Sequence, residues 1–353
     1  MIHTLREFSA ELGKLHNRQS DGASDSNLKE RRYYQLLAYG DNDYRNRKCY
    51  SQVEIPKKSG GKRVLQIPGR NLKYLQRYLL TILEMGEVST CSAAYVKGKT
   101  LVDHAKQHVG NNIVVKLDIE NFFDCVQFHQ VFRAIDKTLE RSSLIGPHMK
   151  SYGDGEPAGK YFNNELSWYF SQFCTLNGKL PQGAPTSPLL SNMIFLSIDQ
   201  TINDYCMKRN ITYTRYSDDM IFSGNMYLGN IIFLVRDVLK KNGFCLNKDK
   251  IVVAGKGKQQ KVTGIVVNEK PQVDKRYRRQ IRKEIYYIGK FGIEEHLSRI
   301  TIDRSVSRAL EKQYLRELLG RINFVLHVDN ANKEFRQYKA ECMYLLERLP
   351  YFV

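Results

Sequence analysis

Apolar residues along this chain recur at two periods, and the changes of period mark out its elements. Over 72–83, Leu72, Leu75, Leu79 and Leu83 return every three or four residues, which predicts an amphipathic helix. Just before it, Val53-Glu54-Ile55 and Val64-Leu65-Gln66-Ile67 alternate on either side of Ser59-Gly60-Gly61, which predicts a β-hairpin with a basic tip. Ile113-Val114-Val115-Lys116-Leu117 is a β-branched run typical of a buried strand, and it ends in Asp118. Helical spacing returns over 128–139. Pro185-Thr186-Ser187-Pro188 then opens a predicted helix over 189–207. Strands are predicted at 211–216 and 220–222, with Ser217-Asp218-Asp219 as the tight turn between them. A helix over 235–241 stops at Asn242-Gly243, a strand follows at 262–267, and the pattern is helical from Lys275 onward. The first 50 residues read as mostly helical around a polar loop at 20–27. No internal repeat and no long low-complexity segment interrupts this order.

Strands and helices therefore mix to about residue 270, and helices dominate afterwards. At 353 residues the chain is long enough for a substantial core in two or three structural units. Hydrophobic residues at 42% and 22 tyrosines exclude a disordered chain. No apolar run approaches the ~20 residues of a membrane span, and residues 1–16 lack the apolar stretch of a secretory signal. The seven cysteines are odd in number, scattered and without a Cys-x-x-Cys pair, so neither a zinc ribbon nor a disulfide framework is expected. Free thiols in a reducing cytoplasm are expected instead.

Charge narrows the picture. The formal net charge is +18, which a solvated basic surface explains as well as a polyanionic partner does. Its distribution is uneven: residues 240–300 hold sixteen Lys/Arg against six Asp/Glu. There Tyr277, Tyr286 and Tyr287 interleave with Arg276, Arg278, Arg279, Arg282 and Lys283. Cations for phosphates beside rings that stack on bases make a nucleic-acid surface. A membrane-binding helix would need a strongly apolar opposite face, which is missing.

The sharpest chemical feature is Asp118 at a strand end with Asp218-Asp219 in a turn about a hundred residues later. An adjacent Asp pair is by itself an ordinary solvated turn, and one aspartate says as little. Carboxylates at strand ends also suit Mg²⁺, which takes one or two of them alongside substrate phosphates. A pair of such ions supports in-line phosphoryl transfer. The neighbouring residues decide between these readings. Asp118-Ile119-Glu120-Asn121-Phe122-Phe123 precedes Leu180-Pro181-Gln182-Gly183-Ala184-Pro185-Thr186-Ser187-Pro188, and Tyr216-Ser217-Asp218-Asp219 follows. This order resembles the reverse transcriptases: Asp before a double aromatic, a Pro-Gln-Gly segment, then Tyr-x-Asp-Asp. The resemblance runs from about residue 53 to the end. It narrows to the retron type through Ala105 and His108 of Asp103-His104-Ala105-Lys106-Gln107-His108, and through Val262-Thr263-Gly264. Two departures stand out: His104 occupies a usual Asn position, and Ser217 occupies one that is often Ala.

That resemblance implies an α/β (strictly α+β) right-hand polymerase. Its expected parts are an N-terminal helical extension over 1–50, fingers over 51–115, and a palm over 116–270 with finger insertions between 130 and 180. A helical thumb over 271–353 completes it. Asp118, Asp218 and Asp219, with the Ile119 backbone, would ligate two Mg²⁺ ions. Phe123 would abut the sugar of the incoming nucleotide and favour deoxynucleotides, while Phe122 is a core ring. Gln182 and Gly183 would line the nucleotide and template side, and Lys57, Lys62 and Arg63 would clamp the triphosphate. An RNA-binding set would comprise His104, His108, Val262, Thr263, Gly264, Tyr277, Arg278, Arg279 and Arg282. Gly320-Arg321-Ile322-Asn323-Phe324 resembles a thumb segment and equally suits a helical hinge.

The expected activity is copying of a bound structured non-coding RNA into a branched RNA–DNA hybrid. Deoxynucleoside triphosphates are the substrates, an effector protein is a partner in antiphage defence, and a host RNase H removes RNA. Two alternatives remain open at this point. One is another defence-associated reverse transcriptase with a different RNA and priming. The other is a catalytically silent RNA-binding scaffold that controls an effector.

Overall fold

The computed structural model describes residues 4–17, 26–56, 60–141, 159–300 and 307–348. Helices α1 (Leu5–Asn17) and α2 (Ser26–Gly40), a single turn α3 (Asn42–Tyr44) and a π-helical turn (Arg45–Cys49) lead into the hairpin β1 (Tyr50–Pro56) and β2 (Lys62–Pro68). Its register runs unbroken from Tyr50↔Pro68 to Pro56↔Lys62. Next come α4 (Arg70–Leu83), α5 (Leu101–Lys106), β3 (Ile113–Ile119), α6 (Phe122–Cys125), α7 (Phe128–Arg141), α8 (Gly159–Cys174), α9 (Ser187–Ile194) and α10 (Leu196–Met207). The hairpin β4 (Thr212–Tyr216) and β5 (Asp219–Gly224), helix α11 (Leu228–Lys241) and strand β6 (Leu246–Gly255) follow. Three two-residue strands, β7 (Lys261–Val262), β8 (Ile265–Val266) and β9 (Gln272–Val273), form a small antiparallel sheet. The chain then turns helical: α12 (Lys275–Phe291), α13 (Ile293–Ile300), α14 (Arg308–Val328) and α15 (Lys333–Arg348).

The main sheet is antiparallel in the order β4-β5-β3-β6. Its pleat sends successive side chains to opposite faces. One face carries Val115, Leu117, Ile119, Tyr213, Met220 and Phe222 into the largest core, against the helices. Val114 and Ile221 on the other face pack with Val102, Ala105, Val262 and Ile265. Register then places Lys116, Asp118, Thr214, Tyr216 and Asp219 on this second face.

The N-terminal helices belong to the largest core. Leu5, Phe8, Leu36 and Tyr39 are buried in it, with the Phe8 ring 4.7 Å from that of Phe170. Arg45, fully buried, donates to the Tyr39 carbonyl and, at 2.7 Å, to Gln172 Oε1. The C-terminal helices have their own core, in which Ile281, Ile285 and Ile288 meet Leu315, Ile322 and Phe335. Phe324 and Val328 of α14 touch both this core and the small-sheet core.

The structure departs from the sequence reading in several places, and it adds helices α5 and α8 where none was predicted. The helix expected over 189–207 is interrupted at Phe195, whose buried ring packs edge-on against Phe122 and Phe244. The strand expected over 262–267 folds back on itself: Thr263 and Gly264, at φ +46° and +86°, are the central residues of a tight turn between β7 and β8. The helix ending at Asn242-Gly243 begins earlier, at Leu228. β6 was not expected at all. Residues 320–324 continue α14 without a hinge. Lys57 and residues 20–25 lie outside the described residues.

Candidate active site

Strand pairing brings the three aspartates to one end of the main sheet. Asp118 stands directly opposite Asp219 in the β3–β5 register, and Asp218 is in the turn that joins β4 to β5. Ser217 holds φ +59°, as the first central residue of a primed hairpin turn requires. The Ile119 amide donates to the Asp218 carbonyl at 3.0 Å, which ties the turn to β3. Asp118 is 4% exposed, yet it is charge-paired: Lys250 Nζ lies 3.0 and 3.1 Å from its two oxygens. Lys116 Nζ lies 2.7 Å from Asp219 Oδ2. Burial, then Asp219, and then Asp118 push the Asp218 carboxyl above the usual carboxylate range.

The turn is held from below by a buried ion pair. Arg215 and Asp199 are both fully buried, with Nη2 to Oδ2 at 2.8 Å and Nε to Oδ1 at 2.9 Å. Asp199 also accepts from the Tyr213 hydroxyl at 2.7 Å. Arg215 Nη1 donates to the Ser217 carbonyl at 3.1 Å and to Asn192 Oδ1 at 3.2 Å. Asn192 in turn donates to the Ala94 carbonyl at 2.8 Å. The guanidinium lies 4.7 Å over the Phe195 ring. The one-residue break before α10 therefore presents a ring and a carboxylate to the same arginine.

Other expected residues divide into those beside this centre and those away from it. Phe122 is a core ring, and Phe123 is half-buried, edge-on to it at 5.2 Å. The Gln182 carbonyl accepts from the Gln66 amide at 2.7 Å, which joins the Pro-Gln-Gly segment to β2. At Gly183, φ is +128° and a Cβ would sit 2.8 Å from the Gln66 carbonyl oxygen. The close approach that needs glycine here is thus to strand β2. Lys62 and Arg63 are exposed, and Lys62 pairs with Glu54 at 2.5 Å.

Several RNA-binding expectations are corrected. His104 and His108 are 1% and 0% exposed and hydrogen-bond to Thr214 and Ser223 inside the protein, so neither ring reaches an RNA. The Val262 side chain is buried in the small-sheet core, which leaves Thr263 half-buried and Gly264 at an exposed turn. Tyr277 packs edge-on to Phe324 within the helical unit. Arg282 makes a bidentate pair with Glu334, at 2.6 and 2.7 Å, which ties α12 to α15. Arg278 is half-buried, and its Nε has no partner. Arg279 is exposed. It lies on a stripe with Arg276, Lys283, Tyr286 and Lys290, spaced alternately by three and four residues along α12 and all exposed.

Sequence reasoning missed Lys116, Lys250, Thr214, Ser223 and the Arg215–Asp199–Asn192 set. Lys116 did leave a signal: a lone cation in an apolar strand, two residues before Asp118, points to the same face as that aspartate.

As the side chains stand, no group of three or more His, Cys, Asp or Glu among the described residues converges on one point. The donor chemistry nevertheless fits a hard cation. Two of the three carboxylates already draw an ammonium, and the third, Asp218, is disfavoured as an anion by burial first and then by Asp219 and Asp118. The Lys250 side chain that pairs with Asp118 is 56% exposed.

The comparisons with known proteins agree with this geometry. Residues 55–267 match the family described as reverse transcriptase (RNA-dependent DNA polymerase). The retron Ec86 reverse transcriptase of Escherichia coli is 30% identical over 70% of this chain and 73% of its own length. The retron Mx65 reverse transcriptase of Myxococcus xanthus is 32% identical over 67% of this chain, a match that spans 55% of that enzyme. A solved structure of telomerase from Candida albicans, in complex with a fragment of telomeric RNA, aligns at TM-score 0.42 and 11% identity over 85% of this chain and 59% of that one. The chain belongs to the reverse transcriptase family, and within it to the retron type. No helix among the described residues is long and apolar enough to cross a membrane.

Proposed function

We propose that this protein is an RNA-directed DNA polymerase that extends DNA on a bound, structured non-coding RNA. The observation that carries the reading is Asp118 paired opposite Asp219, with Asp218 in the adjoining turn. Two Mg²⁺ ions held by these carboxylates would supply charge neutralisation for nucleotidyl transfer. The chain's own contributions are positional. Phe123 borders the nucleotide sugar. Gln182 and Gly183 join the fingers hairpin to the palm, and Lys62 and Arg63 present cations for the triphosphate. The stripe Arg276, Arg279, Lys283 and Lys290, with Tyr286, suits a phosphate backbone and takes the place of Arg282 and Tyr277 in that role. Gly264 is exposed, and Thr263 half-buried, at the turn between β7 and β8, which keeps this turn a candidate RNA contact.

The retron likeness extends the proposal to a branched RNA–DNA product, to a cognate effector in antiphage defence, and to RNA removal by a host RNase H. The test is labelled deoxynucleotide incorporation with Mg²⁺ by protein copurified with its RNA, followed by sequencing of the nucleic acid. Incorporation that is abolished in Asp218→Ala/Asp219→Ala is expected, with a branched product. Inactive wild type would favour a silent RNA-binding scaffold, and an unbranched product would favour another priming mode.

A further inference from the structure

We propose that His104 and His108 are positioning residues. With Thr214 and Ser223 they form a directional hydrogen-bonded chain that straps the β4–β5 hairpin and so fixes Asp218 and Asp219. The inference rests on the polymerase reading above and concerns the same site.

The register sets the geometry. On β5, Asp219, Ile221 and Ser223 share one face, and on β4 Tyr216 and Thr214 point to that same side. The two histidines sit on this face, one and two rows along the strands from the carboxylates. His104 belongs to α5, whose start is fixed by a capping box between Thr100 and Asp103. His108 follows in the next turn, where its amide donates to the Ala105 carbonyl. Three contacts then reach the hairpin: His104 Nε2 to Thr214 Oγ1 at 2.6 Å, His108 Nε2 to the same oxygen at 2.7 Å, and His108 Nδ1 to Ser223 Oγ at 2.7 Å. The His104 ring also stacks on Tyr216, the residue before the catalytic turn, at 5.7 Å and 20°.

Proton counting gives the chain a direction. The Thr214 hydroxyl has one proton and is shared by two imidazoles. His104 Nδ1 is buried without a partner, and a bare lone pair costs less there than a bare N–H. His104 therefore carries its proton on Nε2 and donates it to Thr214. Thr214 donates to His108 Nε2, and His108 Nδ1–H donates to Ser223. Both rings are neutral, because burial pushes them down to about 4 and about 3. The strap has a mechanical reason. β4 is an edge strand of the main sheet, and among the described residues its outer edge is flanked by the short bridge Ser92↔Arg215. Without the bonds from the two histidines, the face of the hairpin that carries Thr214 and Ser223 would lose its polar ties, leaving the Arg215 contacts and the opposite core face to fix the turn.

Thr214→Val keeps the shape and deletes the hydroxyl, and Thr214→Ser restores it. The assay is dTTP incorporation on poly(rA) primed with oligo(dT), alongside affinity for the same duplex, thermal stability, and ¹⁵N–¹H spectra of the histidine rings at pH 7. In Thr214→Val, kcat is expected to fall about 10- to 100-fold, as for a misplacement near 1 Å. KM for dTTP and duplex affinity are expected to stay within about twofold of wild type, well short of that loss. Thr214→Ser should recover most of kcat, and wild-type spectra should show His104 as the Nε2–H and His108 as the Nδ1–H tautomer. Equal kcat in Thr214→Val and wild type overturns the proposal. So does lost duplex affinity with kcat unchanged, or the opposite pair of tautomers. If wild type incorporates nothing, the polymerase reading falls instead, and the tautomers still decide the strap.

Discussion

Asp199→Asn is a near-isosteric change that removes one charge and leaves Arg215 fully buried without its counter-ion. The carboxylate it replaces accepts from the Tyr213 hydroxyl and twice from the guanidinium at 2.9 Å or less, with neither ion-pair member exposed. Breaking a buried pair by removing one partner costs about 3–5 kcal/mol, and complete burial places this case in that range without discount for solvent. With a urea slope of about 2–3 kcal/mol per M, the unfolding midpoint should fall by about 1–2.5 M. Urea titration followed by far-UV circular dichroism measures it. The companion variant Asp199→Leu/Arg215→Met replaces both ions by apolar groups and should regain most of the lost stability, since such swaps are often neutral or better. It should nonetheless polymerise poorly, because the bond from Arg215 to the Ser217 carbonyl is gone. A midpoint within about 0.3 M of wild type for Asp199→Asn would refute the reasoning, since it corresponds to less than about 1 kcal/mol.

Arg276→Ala/Arg279→Ala should weaken RNA binding and flatten the slope of log affinity against log salt by about 1.5, the release expected from two phosphate contacts. Arg282→Ala should leave that slope unchanged and lower thermal stability slightly, by about 1 kcal/mol for a half-exposed pair with Glu334. Equal slopes in all three proteins would place the RNA elsewhere. Below pH 6.5 the unfolded chain binds protons that buried His104 and His108 refuse until about 4 and about 3, so stability should fall as the pH drops from 6.5 by up to about 1.4 kcal/mol per unit per histidine. The raised carboxyl of Asp218 acts in the opposite direction, with one proton against two. His108→Gln should show a shallower acid slope in urea unfolding between pH 6.5 and 4.5, and identical slopes would contradict the neutral-histidine assignment.

Much of this fold is legible in the sequence where local signals agree. The Gly60-Gly61 hairpin, the leucine stripe of α4 and the apolar strand before Asp118 each carry period and turn chemistry that point the same way. β6 was hidden because Lys248, Asp249 and Lys250 interrupt its apolar alternation. An edge strand tolerates such charges, and periodicity alone does not identify edges. The 262–267 run read as one strand because its alternation ignores Thr263 and Gly264, whose positive φ values bend it into a hairpin. Among site residues, the aspartates are visible from motif order, whereas exposure is not visible at all. Arg282 and Arg279 look alike in sequence, but only the fold places Glu334 beside one and solvent beside the other. His104 and His108 were misassigned for the same reason. A histidine's neighbours across a sheet are set by register, here with Thr214 and Ser223 more than a hundred residues away.

Phe324 and Val328, near the end of α14, are half-buried and pack at once against the core of the C-terminal helices and the core of the small sheet. The second of these cores includes Val114 and Ile221, which lie on the same strands and the same face as Asp118 and Asp219. A helix seated in two cores acts as a strut: it cannot tilt without prising apart one set of contacts or the other. Under the proposed function, load applied to the outer helices by a bound duplex would be carried along α14 onto the same face of the strands that holds Asp118 and Asp219. If the proposed function holds, grip and chemistry share this member, and a substitution at Phe324 would loosen both together.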